Sequence, residues 1–494
     1  MRWRRRKISP IASPGFDLDQ LLLNFNRRED GLSVRDILGG GVLVLGDSGS
    51  GKTSGVLAHL VGGAHALGCS LVHVSVKPSD PDYWTHLAAS WGRPVRRVAI
   101  GVDRFNPLAF EQFREDAGGG LVEDLTRLIT LPLRRQGGAG GSGVDGFWRS
   151  DAERYTRNVA TIFVIAGVPL SYRLIYETLQ ALPASLEEVH DPAWQNRCPA
   201  FAALRVASRK KLGPAEAADL ETAGRFLLVT APTTPERTRA STVATISSAL
   251  DPLIRGPIGE ALCGTPDTWT PADCFARSPV LVLDAPLQLY GAVGATIQRI
   301  WLTAIQRAIL RRPMSDASRP VVLVADEFQE FLDPEDDPAF MRTARDRLGC
   351  MVLATQCVGN IRAACSGGPD PRAAADAILG LPAVKFFGAT SDPETLRYAS
   401  EVFAKSWQAR VSHGMSEREG SAGSSGASGG SGGRNANFSL DLHDDVPAIE
   451  LLKLARGGPA CNWQTEAFCS VSGRTWRATG RPSIKVAFNQ YRPE

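Results

Sequence analysis

Residues Gly46-Asp47-Ser48-Gly49-Ser50-Gly51-Lys52-Thr53 match the pattern G-x-x-x-x-G-K-[ST] at every fixed position. A short apolar run, Val42-Leu43-Val44-Leu45, precedes them and has the β-branched residues typical of a buried strand. The residues that follow, Ser54 to Val61, are compatible with a helix. A strand, a glycine-rich loop and a helix in this order are the context that a phosphate-binding Walker A motif requires. The alternative is a glycine-rich loop that precedes a lysine by chance, and the flanking elements count against it.

The residue types in this loop suit a nucleoside triphosphate. Glycines let the backbone turn tightly and direct its N–H groups at phosphate oxygens, and the start of the following helix adds positive charge. Lys52 is expected to reach the β- and γ-phosphates, and Thr53 to place its hydroxyl on Mg²⁺. We therefore predict a site for ATP and Mg²⁺ in which the nucleotide contacts Gly46, Asp47, Ser48, Gly49, Ser50, Gly51, Lys52, Thr53 and Ser54.

Composition indicates an ordinary soluble globular protein. The chain has 494 residues, of which 43% are apolar and 22% charged, and this length suggests about two to three domains. Because the net charge is only +3, a nucleic-acid partner would have to be bound by local basic patches. The nine cysteines show no CxxC spacing, which favours a reducing, cytoplasmic environment.

No targeting or membrane-spanning segment is evident in the sequence. The basic opening Met1–Lys7 is not followed by the apolar stretch of a secretory signal. We interpret it as a solvated tail or, alternatively, as a contact to anionic lipid or nucleic acid. The longest apolar run, Thr161 to Leu170, is about ten residues long, whereas a transmembrane helix needs roughly 20.

Outside the loop, strand and helix patterns alternate, which is typical of a mostly parallel α/β sheet. We predict strands at 71–76, 95–100, 280–284, 321–325, 350–355, 383–387, 467–471 and 484–488, and a long amphipathic helix with its apolar stripe at 297–309. The intervening region 109–265 has mainly helical patterns, and its glycine-rich piece Gln136 to Gly146 is predicted to be a flexible loop.

These patterns divide the chain into six expected segments. They are 1–35, a basic N-terminal segment; 36–108, the first part of the nucleotide-binding core; 109–265, an inserted all-helical domain; 266–416, the second part of the core; 417–440, a flexible Gly/Ser loop; and 441–494, the last part of the core.

Two acids follow one of the predicted strands. Asp326 and Glu327 come directly after Val321–Ala325, as in a Walker B strand. Asp326 would hold Mg²⁺ through its water shell, and Glu327 would accept a proton from the attacking water. The alternative is a buried strand that ends in an acidic turn. Gln356 ends the next predicted strand, and it would either contact the γ-phosphate or its water or merely cap the following turn.

In their order and in their residues, these motifs resemble those of the type IV coupling proteins (TraG/TraD-like), the conjugative DNA-transfer ATPases of the FtsK/HerA superfamily. The resemblance covers the chain from about residue 36 onward. It depends on five short sequence motifs: Phe105-Asn106-Pro107-Leu108, Phe147-Trp148, Asp326-Glu327-Phe328, Leu353-Ala354-Thr355-Gln356, and Leu451 to Ala460.

The resemblance implies a RecA-like P-loop NTPase core that works as a ring, a hexamer in this family, with ATP bound between subunits. It also implies that an arginine of the neighbouring subunit completes the site, and Arg345 suits the family's spacing better than Arg342 or Arg347. The expected partners are DNA, bound without sequence specificity, other copies of the chain, and relaxase, accessory or secretion-channel proteins. Family members usually begin with transmembrane helices, whereas none is evident in this sequence, which departs from the family pattern in this respect. We therefore expect the chain to be cytoplasmic, or peripheral at the inner membrane through a partner.

Three functions are compatible with these patterns. The first is a DNA motor, an ATP hydrolase that drives DNA through the ring. The second is a receptor that brings protein substrates to a secretion channel through the helical region. The third is a HerA-like DNA translocase in defence or maintenance.

Overall fold

The structure of the chain is a computed structural model, which describes residues 16–27, 30–115, 119–136, 143–275, 279–315, 317–366, 370–415 and 434–492. The basic opening Met1–Lys7 and residues 417–433 of the predicted Gly/Ser loop lie outside the described residues. Among the helices of these ranges, none combines the length and the apolar character needed to cross a membrane.

The described residues form thirteen strands, nine of which make one large sheet. The strands are β1 (Leu21–Arg27), β2 (Asp30–Ser33), β3 (Val42–Leu45), β4 (Ser70–His73), β5 (Val95–Ala99), β6 (Val280–Asp284), β7 (Val321–Ala325), β8 (Gly349–Thr355), β9 (Val384–Gly388), β10 (Lys405–Met415), β11 (Arg434–Asp444), β12 (Gln464–Val471) and β13 (Ser483–Asn489).

The large sheet is mostly parallel, as predicted. Its strand order is β13-β12-β9-β3-β8-β7-β4-β6-β5, and only β12 and β13 run antiparallel to their neighbours. In the parallel part, β3 lies between β8 and β9, with Leu45 opposite both Thr355 and Phe387. The strands that carry the two Walker motifs, β3 and β7, are therefore separated by β8 alone.

The sheet is buried on both faces, which explains the continuous apolar runs in its central strands. All four residues of β3 are buried. Leu43 and Leu45 belong to one hydrophobic core and Val42 and Val44 to a second, because alternate residues of a strand point to opposite faces. The helices that cover the two faces, outside the segment between β5 and β6, are Val34–Ile37, Lys52–Leu57 (of π type), Ala58–Ala66, Asp80–Ser90, Leu287–Arg311 (broken at Gly291), Asp336–Thr343, Val358–Ala364, Pro371–Gly380, Pro393–Phe403 and Ala448–Leu452.

Between β5 and β6 the described residues form helices and no strand. The α-helices are Pro107–Gln112, Val122–Gln136, Gly143–Ala166, Tyr172–Gln180, Leu186–Val189, Pro192–Arg197, Pro199–Ala207, Pro214–Arg225, Ala231–Thr233, Glu236–Leu250 and Gly256–Cys263. Asn106 starts this region, since its side-chain oxygen accepts hydrogen bonds from the N–H groups of Leu108 and Ala109 and so caps the first helix. Its amide also donates to the carbonyl of Leu170, at 2.8 Å, which ties the turn to the helices behind it.

Two predictions of local structure were wrong in part. The loop predicted at Gln136 to Gly146 is too long, because helices include Gln136 and begin again at Gly143. Residues 434–440 of the predicted flexible loop belong to β11, which pairs along its whole length with β10. In both cases tertiary or cross-strand contacts outweigh a local composition that disfavours regular structure.

The N-terminal segment 1–35, for which no elements were predicted, includes the β1–β2 hairpin. Apolar residues of this hairpin pack into the second core.

Candidate nucleotide-binding and hydrolysis site

Four neighbouring parallel strands end at the same edge of the sheet and bring the predicted site together. The glycine-rich loop follows β3, Gln356 follows β8, Asp326 and Glu327 follow β7, and Lys77 lies beyond the end of β4. The carboxyl edge of a parallel sheet is where such folds bind ligands, because the loops that leave it enclose a crevice. Segments that are far apart in the sequence therefore meet in one crevice.

The loop has the shape of a phosphate cradle. Gly49 and Gly51 have φ angles of +74° and +78°, a region that glycine occupies without the strain of a side chain. Lys52 is buried, and its Nζ donates to the carbonyl oxygens of Gly46 and Asp47 at 2.7 and 3.1 Å. Burial lowers the pKa of Lys52, and the carboxylates of Asp326 and Glu327 oppose this shift. The ammonium thus lies inside the loop, close to both acids of the predicted Walker B strand.

The two Walker motifs are in direct contact. The Thr53 hydroxyl donates a hydrogen bond to Asp326 Oδ2, across 273 positions of sequence. Burial raises the pKa of Asp326, while this hydrogen bond and the charge of Lys52 lower it. A hydroxyl oxygen and a carboxylate oxygen side by side are hard metal ligands of the kind that Mg²⁺ prefers, and this ion takes its other ligands from water and phosphate. The structure therefore places Thr53 and Asp326 where they could hold that ion.

Glu327 is held by two amide groups. Its Oε1 accepts a hydrogen bond from Gln356 Nε2 at 3.2 Å, and its Oε2 accepts one from Gln329 Nε2 at 3.0 Å. The backbone of Glu327 is in the left-handed region, with φ of 49°, which is uncommon for a residue with a side chain and is concentrated at functional sites. Gln356 thus lies in the site, and Gln329 is a residue that the sequence analysis missed. Its position two residues after the Walker B acids was the only available signal.

Asp47 links the loop to more distant parts of the chain. Its carboxylate accepts hydrogen bonds from the Ser391 N–H and hydroxyl, both at 3.0 Å, and from Arg456 Nη2 at 2.7 Å. Partial burial raises the pKa of Asp47, but the hydrogen bonds and the charge of Arg456 outweigh it and hold the pKa below its usual range. The backbone of Asp47 is part of the loop, whereas its side chain is bound by Ser391 and Arg456 and so points away from a phosphate in the loop.

Residues after β4 form a further part of the crevice that the sequence analysis did not assign. Asp80 Oδ2 accepts hydrogen bonds from the N–H groups of Val76 and Lys77, at 2.9 and 2.8 Å. This arrangement leaves the side chain of Lys77 exposed beside the site. The hydroxyl of Tyr83 is buried and has no hydrogen-bond partner among the described residues.

Arg345 does not join the site of its own chain. It is exposed in the short helix Ala344–Arg347, immediately before β8. It therefore lies at the amino edge of the sheet, opposite the glycine-rich loop. Arg347 is nearby and donates to the carbonyl of Arg312 at 3.1 Å. Any contact of Arg345 with a nucleotide would have to involve another copy of the chain.

Comparisons with known proteins give one family match and several matches to solved structures. A family model described as the TraM recognition site of TraD and TraG matches residues 320–441. No curated protein sequence matches the chain. The solved structures that match include the bacterial conjugative coupling protein TrwBdeltaN70 in an unbound form, with 13% identity, a TM-score of 0.59, and coverage of 93% of this chain and 86% of that one.

Two further matches are structures of the plasmid coupling protein TrwB. One, in complex with ADP and Mg²⁺, has 14% identity, a TM-score of 0.60, and coverage of 94% of this chain and 88% of that one. The other, with a non-hydrolysable ATP analogue, has 14% identity, a TM-score of 0.60, and coverage of 95% and 89%. At these identities the likeness is one of fold, and it confirms the α/β RecA-like class. The chain therefore has the fold of the coupling protein TrwB over most of its length, and residues 320–441 match the family model of TraD and TraG, both in line with the resemblance that the sequence motifs indicated.

Proposed function

We propose that this chain is a Mg²⁺-dependent ATP hydrolase of the coupling-protein kind, which couples hydrolysis to the movement of DNA. The observation that carries the proposal is the contact between Thr53 and Asp326, with Lys52 and Glu327 beside it. That contact unites the phosphate-binding loop and the acidic pair in one crevice. The description of TrwB as a conjugative, plasmid coupling protein supports DNA as the cargo.

Each side chain has a chemical task in this proposal. Lys52 would exchange its two loop carbonyls for the negatively charged oxygens of the β- and γ-phosphates. Mg²⁺ would neutralise charge that develops on the phosphates. Glu327 accepts a proton from the attacking water, and the amides of Gln356 and Gln329 fix the direction of its carboxylate. Because Gln356 directly follows β8, a change in its contact to Glu327 would be transmitted to that strand.

The proposal includes assembly into a ring, with six copies expected from the family resemblance. The amino-edge position of Arg345 supports this part, since an exposed guanidinium there can complete only a site on another subunit. An arginine supplied in this way stabilises the charge on the γ-phosphate during transfer. The segment 109–265 would then form an inserted helical domain on the core.

ATPase measurements with single- and double-stranded DNA test the proposal. We expect Glu327→Gln to lower kcat by about 10²- to 10⁴-fold, as loss of a general base does, while nucleotide binding persists. Lys52→Ala should lose nucleotide binding as well, because the loop then lacks its only lysine. DNA should stimulate the wild-type rate, and chelation of Mg²⁺ should abolish it.

Two surface variants serve as matched controls. Lys453→Ala removes a lysine charge, as Lys52→Ala does, and Glu401→Gln removes a glutamate charge, as Glu327→Gln does, but both control positions are exposed. Both control variants should hydrolyse ATP as the wild type does. An oligomer that hydrolyses ATP without any response to DNA would contradict the motor part of the proposal. Unchanged hydrolysis in Glu327→Gln would contradict the assignment of the site itself.

A receptor function is the second candidate, and one observation favours it. The family model that matches residues 320–441 is described as a recognition site for the protein TraM. If recruitment of proteins is the main role, partners captured with the purified chain should survive treatment with nuclease. Loss of all partners after nuclease treatment would favour the DNA motor.

A further inference from the structure

The carboxy-terminal strands return to the edge of the sheet where the glycine-rich loop lies. Because β12 runs antiparallel to β9, its first residues lie at the carboxyl end of β9. Its partner β13 ends at the same place, with Gln464 opposite Asn489. The residues just before β12 and just after β13 therefore flank the loop.

These residues make direct contacts with the start of the helix after the loop. Gln490 Nε2 donates to Ser54 Oγ at 2.8 Å, and the N–H of Tyr491 donates to the Ser54 carbonyl at 2.7 Å. Thr465 packs against Gly51 so closely that a Cβ added to this glycine would lie 2.1 Å from the threonine Cγ2. The position directly after Thr53 is thus fixed by the end of the chain.

Trp463 projects from this junction in an unusual way. It and Asn462 have φ angles of +58° and +49°, which non-glycine residues seldom adopt and which cluster at ligand sites. The Trp463 N–H donates to the Gly458 carbonyl, and its own carbonyl accepts from the N–H of Gln490, both at 2.8 Å. These bonds hold the backbone in place, while 37% of the residue's surface stays exposed.

Arg492 lies over the exposed ring. The central carbon of its guanidinium is 4.1 Å from the centroid of the Trp463 ring. Such a stack of two planar groups is favourable, and it keeps the indole in one orientation. A rigid, half-exposed aromatic plane is the element that proteins use to stack on nucleobases.

The direction of a bound nucleotide brings its base to this side of the loop. In a Walker A site the lysine reaches the β- and γ-phosphates, and the loop backbone cradles the α- and β-phosphates. Thr53 and Asp326 mark the Mg²⁺ end of the crevice. The nucleoside must leave from the α-phosphate, on the side away from the Walker B acids, and Ser54 is held there by Gln490.

We propose that Trp463, backed by Arg492, stacks on the base of the nucleotide held by the glycine-rich loop. This inference rests on the proposed function, since it assigns a subsite to the same nucleotide. It makes the carboxy-terminal segment part of the ATP site, because the segment supplies the plane that distinguishes a nucleotide from a bare polyphosphate.

Binding of ATP and of inorganic tripolyphosphate, each with Mg²⁺, separates this subsite from the phosphate cradle. Trp463→Ala should weaken ATP binding about 5- to 150-fold, the range for loss of one stacked base, and should leave tripolyphosphate binding unchanged. Trp463→Phe should restore most of the ATP affinity. Phe113→Ala, at another exposed aromatic residue, is the matched control and should bind both ligands as the wild type does.

The possible results distinguish failure of this inference from failure of the proposed function. If the wild type binds neither ATP nor tripolyphosphate, the nucleotide site itself is wrong. If ATP binds equally well to the wild type and to Trp463→Ala, or if tripolyphosphate weakens in parallel, the stacking proposal is overturned while the ATPase stands. If Trp463→Ala forms an oligomer of different size from the wild type, the indole belongs to an interface between subunits, and the stacking proposal is likewise overturned.

Discussion

At the scale of a single residue, Glu327 is the acid to which the proposed function assigns hydrolysis, whereas Lys52 and Thr53 are assigned to nucleotide binding. Lys52 and Thr53 lie in the loop, whereas the carboxylate of Glu327 accepts hydrogen bonds, among the described residues, from the side-chain amides of Gln356 and Gln329. Its left-handed backbone conformation directs the carboxylate at a cost that the surrounding contacts must offset. For hydrolysis in a ring, the family resemblance further implies a positive charge that the neighbouring subunit brings to the γ-phosphate.

Arg345 is expected to supply that charge to a neighbouring subunit. Arg345→Ala should lower kcat about 10³-fold or more, the usual contribution of such an arginine, with little change in nucleotide binding. Mixing this variant with Lys52→Ala should recover part of the activity, because an intact loop on one chain then meets an intact arginine on the next. ATPase rates of the separate and mixed proteins measure the effect.

A variant at a nearby arginine tests the assignment. Arg342→Ala removes the other exposed guanidinium of this region and should leave kcat nearly unchanged. If Arg342→Ala has the large effect and Arg345→Ala does not, the trans role belongs to Arg342. If mixing recovers nothing although the chains form mixed oligomers, no arginine acts between subunits here.

At the scale of elements, a buried ion pair connects two helices of the core. Arg299, in the helix Leu287–Arg311, donates to Asp337, in the helix Asp336–Thr343, at 2.6 Å, and both side chains are fully buried. Gln306 joins them, since it accepts from Arg299 at 2.7 Å and donates to Asp337 at 2.8 Å. A buried network is stable when all its members are satisfied, and breaking one member leaves an uncompensated charge.

Asp337→Leu is therefore expected to lower the free energy of unfolding by about 3–5 kcal/mol, because Arg299 then stays buried without its partner. The double variant Arg299→Met with Asp337→Leu should regain most of this loss, since no charge remains. Denaturant unfolding followed by circular dichroism gives both values. The surface variant Glu450→Gln, at a side chain that is 43% exposed and paired only with the surface residue Lys453 among the described residues, should leave the midpoint nearly unchanged. A double variant as unstable as the single one would contradict the argument.

At the scale of the whole molecule, buried histidines make stability depend on pH. Burial lowers the pKa of His73 to about 3 and that of His59 to about 4, and it holds the pKa of His65 well below its usual value. His73 is stacked on Trp84 with centroids 4.4 Å apart, so its ring belongs to the packed second core. These rings stay neutral in the folded chain at pH values where the unfolded chain binds protons.

The resulting stability is present above pH 6.5 and is lost as the pH falls toward the folded pKa. At pH 5 each such histidine should cost about 2 kcal/mol, because the unfolded state binds a proton that the folded state excludes. His73→Phe keeps the stack but cannot titrate, so the difference in unfolding free energy between pH 7.5 and pH 5 should shrink by about that amount. His86→Gln, at an exposed position, should not change this difference. An identical difference in His73→Phe and wild type would show that His73 is not buried as a neutral ring.

Local patterns were sufficient for most of the large sheet and for the residues that meet at its edge. Buried strands such as β3, β7 and β8 stand out as short apolar runs, and Lys52, Thr53, Asp326 and Glu327 stand out because they follow such runs in the pattern of the Walker motifs. Their positions along the chain were therefore readable without knowledge of the fold. The helix start at Gly143 and the strand β11 were not, since glycine-rich composition argues against both until packing or pairing is known.

The tertiary structure alone decided which distant residues complete the crevice. The contacts of Asp47 with Ser391 and Arg456 join positions 344 and 409 residues apart, and Thr465 and Gln490 reach the loop only because β12 and β13 run antiparallel at the edge of the sheet. A sequence motif is a set of residue types at fixed spacing, and it can be recognised without the fold because the ligand requires those residue types. The direction of a strand depends on pairing across the whole sheet, and no local stretch of sequence contains that information.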